Sequence, residues 1–319
     1  MALSDSLLEQ RRRRTAWITH EVCARHEMGE WHPERPARLH AIAEEFVNDG
    51  LAGVLHRMPA PLATEEELQR VHPQIYVAAM VDASPEQGYT QIDPDTALNP
   101  YSIEAAFRAA GSVVAAVDSV MGRTVDNAFC MVRPPGHHAE SGRAMGFCIF
   151  NSIAVGIAHA LEVHGLERVA IVDFDVHHGN GTEQIFTGDE RVLMVSTFQH
   201  PFYPYSGTEH PASNMINVPL RAGSDGRAFR DVVTKFWLPA LERFRPEMIF
   251  ISAGFDAHRD DDMAGLNFDE DDYAWVTREL MQVADKHAKG RVVSALEGGY
   301  NLRALALSAA AHVKEMLRA

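Results

Sequence analysis

The segment Asp173-Phe174-Asp175-Val176-His177-His178-Gly179 sets two carboxylates and an imidazole at alternate positions. In extended backbone Asp173, Asp175 and His177 therefore point to one side. Buried together they would repel or stay unsatisfied unless a cation or a hydrogen-bond network held them. A further carboxylate arrives in Gly254-Phe255-Asp256. Asp175, His177 and Asp256 would then supply three protein ligands and leave room for water, as in a catalytic rather than a structural zinc site. His137 and His138 follow Arg133-Pro134-Pro135-Gly136. The prolines fix φ and remove donors, so the two imidazoles ride on a stiff approach. Imidazole titrates near neutral pH, which suits proton transfer beside an activated water; ligation of the metal by one of the two is the second reading. In Glu297-Gly298-Gly299-Tyr300-Asn301 the glycines let the chain swing a phenol into a cavity, where its O–H can meet a developing oxyanion. Singly, each residue has a plainer explanation as a helix cap, a surface imidazole or a turn. The D-x-D-x-H-H-G string with a second acidic segment downstream makes coincidence a poor account.

These groups need a frame, and the chain supplies one by alternating short apolar runs with longer helical patterns. Strands are expected at Thr15–Thr19, Ala128–Val132, Val169–Phe174, Val192–Thr197, Met248–Ala253 and Val292–Leu296. Several are apolar almost throughout, as parallel strands buried on both faces are. Helices are expected at Pro36–Asn48, Pro73–Val81, Ser102–Met121, Asn151–His164, Gly226–Phe244, Asp269–His287 and Leu302–Leu317. Ser102 with Glu104, and Asp269 with Asp271, place capping and acidic residues at two helix starts. The alternation reads as an α/β fold, a parallel sheet with helices on both faces. Ligands in such folds gather beyond the carboxyl ends of the strands, which is where every group above falls.

At 319 residues, 46% hydrophobic and 23% charged, the chain has the balance of one large globular domain, with no repeat or linker. Residues 15–319 are read as that domain and residues 1–14, with the run Arg11 to Arg14, as an arm. Its net charge of −15 repels phosphate backbones and excludes non-specific nucleic-acid binding. Three scattered cysteines (Cys23, Cys130, Cys148) do not make a disulfide framework and fit a reducing cytoplasm. No apolar run is long enough to span a bilayer, so no membrane partner is expected.

The strings RPPGHHA (Arg133–Ala139), GFCIFN (Gly146–Asn151), DFDVHHGNGT (Asp173–Thr182), SAGFDAH (Ser252–His258) and EGGYN (Glu297–Asn301) resemble the zinc-dependent histone deacetylase and acetylpolyamine amidohydrolase superfamily. HPERPARL (His32–Leu39) is similar to its first substrate loop, and the matches follow the family's order along nearly the whole chain. The nearest resemblance is to bacterial class II-like amidohydrolases. The resemblance implies an arginase-deacetylase fold with an eight-stranded parallel sheet. It makes Asp175, His177 and Asp256 the ligands of one Zn2+ per chain, with Fe2+ or Co2+ as substitutes, and bound water becomes nucleophilic near neutral pH. His138 would be the general base and later the acid, with His137 assisting through Asp173. Asn180 stands where class I relatives have Asp, which makes the pairing of His138 neutral and that imidazole less basic. Tyr300 would polarise the acetyl carbonyl.

By the same resemblance Gly146 and Phe147 would line one wall of a substrate tunnel, with Tyr203 or Phe202 opposite, and Asp95 would grip substrate amides at the rim. Arg35 would line an inner product channel. Ser196, with carbonyls near Asp173, Asp175, His177 and Thr197, would hold K+ or Na+. Met263 occupies the position where polyamine-selective members carry an acidic gatekeeper, and no long N-terminal insertion of their kind is present. Both lean toward acetyl-lysine or a small acetylated amine. An acetylpolyamine amidohydrolase is the alternative. A two-metal ureohydrolase would need more ligands than His258 and Asp260, and a non-catalytic acetyl-ligand sensor would be expected to lose Tyr300 or a ligand. Homo-oligomerisation is left open.

Overall fold

The structure, a computed structural model, describes residues 12–318. Its centre is an all-parallel sheet of eight strands: β1 (Thr15–Thr19), β2 (His56–Pro59), β5 (Asn127–Cys130), β6 (Val169–Asp173), β7 (Val192–Gln199), β8 (Met215–Leu220), β9 (Met248–Ala253) and β10 (Val292–Leu296). The spatial order is β2-β1-β5-β10-β9-β6-β7-β8. β3 (Thr90–Asp93) and β4 (Thr96–Leu98) make a separate antiparallel pair. The inner strands β5, β10, β9 and β6 are buried at every position, which is why their sequences lack alternation.

Helices cover both faces: α1 (Ala37–Asn48), α2 (Glu65–Gln69), α3 (Gln74–Asp82), α4 (Ser102–Met121), α5 (Ser152–Glu162), α6 (Asn180–Phe186), α7 (Gly226–Val232), α8 (Leu238–Phe244), α9 (Glu270–His287) and α10 (Leu302–Leu317). α5 carries apolar residues all round and is buried almost throughout, whereas α9 is polar on one side and buries Tyr273, Val276, Leu280 and Val283 on the other. The single helix expected over residues 226–244 is broken into α7, a π turn at Val233–Trp237 and α8. Pro239 has no N–H for the carbonyl of residue 235, so the backbone widens there.

One capping expectation changes. Ser102 lies inside α4 with Tyr101 at the cap position, and its hydroxyl accepts instead from the Asn99 amide and pairs with His26 Nδ1. Asp269 caps α9 with acidic Asp271 in the first turn, as expected, and Asp272 is its capping-box partner. Of the expected N-terminal arm, residues 1–11 lie outside the described residues. The Arg13 amide donates to Leu317 O at 3.0 Å and its guanidinium to Asp285, while Arg14 pairs with Asp126. No helix among the described residues is long and apolar enough to cross a membrane.

Candidate active site

The chemistry sits beyond the carboxyl ends of β5, β10, β9 and β6, four neighbours in the sheet. The register that aligns Asp173 with Ser252 and Leu296 with Ala253 brings these loops to one level. Asp175 accepts from the His177 amide at 2.9 Å through Oδ1 and from the Gly298 amide at 2.8 Å through Oδ2. Asp256 Oδ1 accepts from the Val176 amide at 2.9 Å. His177 Nδ1 then faces Asp175 Oδ1 at 3.0 Å and Asp256 Oδ2 at 3.2 Å. One donor atom from each of the three lies within 4.8 Å of the others, and all three residues are buried.

This donor set fits a divalent cation. Asp256 Oδ2 is buried without a hydrogen bond of acceptable geometry, and an uncompensated carboxylate oxygen in the interior is costly. Burial and the Asp175 charge push the Asp256 carboxyl up to about 6. Burial opposes a charge on His177, yet the two carboxylates still lift it to about 9. A positive charge belongs between them. Glycine is required around it: a Cβ on Gly298 would stand 2.0 Å from Asp256 Oδ2, and one on Gly254 would stand 2.0 Å from Asp175 Oδ2.

Beside this group the adjacent imidazoles are held in opposite states. His137 Nδ1 faces Asp173 Oδ2 at 3.0 Å; burial disfavours its charge, but Asp175 and Asp173 raise its pKa well above the ordinary value. His138 Nδ1 faces Asn180 Oδ1 at 2.8 Å. The amide cannot be turned round, because its nitrogen serves Glu140 Oε1 at 3.1 Å. His138 therefore donates from Nδ1 and keeps a lone pair on Nε2. Burial first, then the neighbouring His137 and His177, push its pKa well down.

Tyr300 lies between the Arg38 guanidinium, 5.0 Å from its ring centre, and Phe147 at 5.9 Å. Burial and then Asp256 raise its pKa well above the usual phenol value, so it stays a donor. Gly146 and Phe147 both take left-handed φ (57° and 68°). A Cβ at Gly146 would meet His138 Cδ2 at 2.4 Å, so the turn presses on the imidazole. It is fixed from the rim, where Asp95 Oδ1 accepts from the Gly146 amide and Thr96 Oγ1 from the Phe147 amide, each at 3.0 Å. Phe202 stacks on His177 at 5.5 Å, and Tyr203 meets His138 edge-on at 5.3 Å; both aromatics reach the site. Met263 is half-buried, on a loop that Asp261 ties to the Tyr300 and Asn301 amides.

One expected position ends up elsewhere. Arg35 is exposed beside a surface hollow of about 410 Å³. Arg38, one helical turn on, is the buried arginine behind Tyr300, donating to Gly299 O at 2.6 Å and to Glu297 O. Both lie in the same short segment, and Arg38 forms an i,i+4 ion pair with buried Glu34. His258 and Asp260 do not join the acidic triad: His258 Nδ1 accepts from the Asp260 amide and its Nε2 faces Glu270. At the expected monovalent site, Asp173 pairs in register with Ser196, whose hydroxyl bonds Asn217 Oδ1 at 3.0 Å, and Thr197 Oγ1 donates to Val218 O. Glu297 and Arg133 are buried charged residues that local spacing does not mark. Glu297 accepts from the Gly136 and His137 amides and from Ser252 Oγ. Arg133 is buried against Glu34 and the Cys23 and His26 carbonyls.

The profile of the histone deacetylase domain matches residues 32–316. The chain belongs to that family. It is a hydrolytic deacetylase acting on an acetylated substrate, in a family that depends on a metal. It is 37% identical over 313 residues to a histone deacetylase-like amidohydrolase of Pseudomonas aeruginosa, covering 91% of this chain and 82% of the relative. It is 35% identical to histone deacetylase 14 of Arabidopsis thaliana, over 90% of this chain and 73% of that one. The crystal structure of the HDA15 HD domain superposes with a TM-score of 0.91 at 36% identity, over 96% of this chain and 90% of that one. The arginase-deacetylase fold is therefore shared.

Proposed function

We propose that this deacetylase cleaves an N-acetyl-lysine-type amide to acetate and a free amine, using one Zn2+ held by Asp175, His177 and Asp256. The observation that carries the reading is the pair of unlike partners behind the two imidazoles, a carboxylate at His137 and an amide at His138. A bound divalent ion would polarise the acetyl carbonyl and make water a nucleophile near neutral pH.

The remaining work falls to side chains. His138 Nε2 takes the proton from the attacking water and later returns it to the amine nitrogen as the C–N bond breaks. His137, kept cationic by Asp173 and Asp175, stabilises the negative charge that grows on the carbonyl oxygen. Tyr300 donates its O–H to the same oxygen. Phe147 and the Phe202–Tyr203 pair give the lysine methylenes an apolar lining, and Met263 at the rim adds no charge to select a secondary ammonium. Acetylpolyamines are the alternative substrate class, favoured by the net charge of −15.

The test is acetate release from acetyl-lysine peptides, acetylpolyamines and trifluoroacetyl or longer acyl-lysines, with and without chelator. Peptide turnover that falls to background with chelator is expected. Chelator-insensitive turnover, or turnover of acetylpolyamines alone, contradicts the proposal.

A further inference from the structure

We propose that Asp118, His159 and His164 form a second divalent-cation site, apart from the active site and taking a zinc-like transition ion. Asp118 lies in the last turn of α4, His159 in the last turn of α5, and His164 in the turn that follows. Asp118 Oδ1 stands 2.8 Å from His159 Nε2 and 2.7 Å from His164 Nε2, and the two rings are 5.4 Å apart. The three donor atoms all lie within 4.8 Å of one another. Tetrahedral zinc with bonds near 2.0–2.1 Å needs donors roughly 3.3 Å apart, so shifts of a fraction of an ångström in the side chains admit the ion.

Two imidazoles and one carboxylate suit Zn2+, Ni2+ or Cu2+ and disfavour Mg2+ and Ca2+. The His159 side chain is 7% exposed, while the His164 and Asp118 side chains open to solvent. The site is thus anchored on one side and reachable from the other.

Arg70 sets the state without an ion. Its Nη1 lies 3.0 Å from His159 Nδ1, which makes Nδ1 the acceptor and puts the ring proton on Nε2. Loading Nε2 moves that proton to Nδ1, and the guanidinium must withdraw. It has somewhere to go, because Glu66 and Glu162 already stand 3.6 and 3.4 Å from it. The ion would lock the end of α4 to the end of α5, and Arg70 would compete with it.

Equilibrium dialysis of the full chain against zinc, read by elemental analysis, tests this. The parent should hold one zinc equivalent more than His164→Ala and one more than Asp118→Asn, with both variants melting like the parent in chelator. Arg70→Ala should bind that additional equivalent more tightly than the parent. Equal stoichiometry in the parent and both variants overturns the site. An Arg70→Ala affinity no tighter than the parent's overturns the competition.

Discussion

At the candidate site two neighbouring residues of one type stand in different surroundings because of what lies behind each. Asp173 gives His137 a charge to pair with, and Asn180 gives His138 only a dipole. His138→Ala should lower kcat by about 100- to 10,000-fold. Tyr300→Phe, which keeps the ring contacts with Arg38 and Phe147, should cost about 100- to 1,000-fold. Both should keep their metal, so elemental analysis beside turnover separates these roles from ligation. Parental rates in both variants would contradict them. The grouping of Asp175 and His177 with Asp256 was readable from the sequence because Asp175 and His177 lie two residues apart just beyond β6. Arg38 was missed in favour of Arg35 because only the direction of α1 decides which of the two turns inward, and a loop leading into a helix carries no periodicity to reveal it.

The elements act as a rack that fixes those atoms. β9 and β10 are neighbours in register, so from adjacent strand ends Gly254 approaches Asp175 while Gly298 approaches both Asp256 and Asp175. Gly298→Ala would push a Cβ into Asp256 Oδ2, so metal affinity should fall at least about tenfold with little change in the fold. Gly111→Ala makes the contrasting case. On α4 its Cβ would meet Pro61 O at 2.3 Å and Ala63 N at 2.6 Å, where the strap over residues 60–63 bonds to the helix. It should lose about 1–3 kcal/mol of stability by overpacking and keep its metal. Urea unfolding and metal analysis of the two variants should give opposite patterns; matching losses would contradict this division. β9 and β10 were legible as runs apolar but for Ser252 and Ser294, bounded by glycine and polar residues. β2 was not: His56-Arg57-Met58-Pro59 is an edge strand, mostly exposed, and its pairing with β1 is a long-range fact. β8 was missed for a similar reason, being a half-exposed edge with Pro219 inside it.

Over the whole molecule, burial of neutral imidazoles makes the fold acid-sensitive. His312 donates from Nδ1 to Thr277 Oγ1 and accepts at Nε2 from Ser294 Oγ. His72 donates to Ser141 O and accepts from the Asn151 amide. Burial pushes His312 and His26 down to about 3 and His72 to about 4, from an ordinary 6.5. The unfolded chain therefore binds more protons, and stability is lost as pH falls from 6.5 toward 3. Each group contributes about 1.4 kcal/mol per pH unit once well below 6.5. Below about 4.5 Glu34 adds to the loss: burial opposes its charge, but Arg133 holds it at about 2. Urea unfolding of His312→Asn between pH 6 and 5 should show a slope shallower by one proton than the parent's. An unchanged slope would show that His312 is not held neutral.

An ion between Asp175, His177 and Asp256 would be seen directly by diffraction from crystals of turnover-competent enzyme at the zinc absorption edge. An anomalous peak in contact with all three side chains is the predicted result. Active crystals with no anomalous peak among those side chains would contradict it.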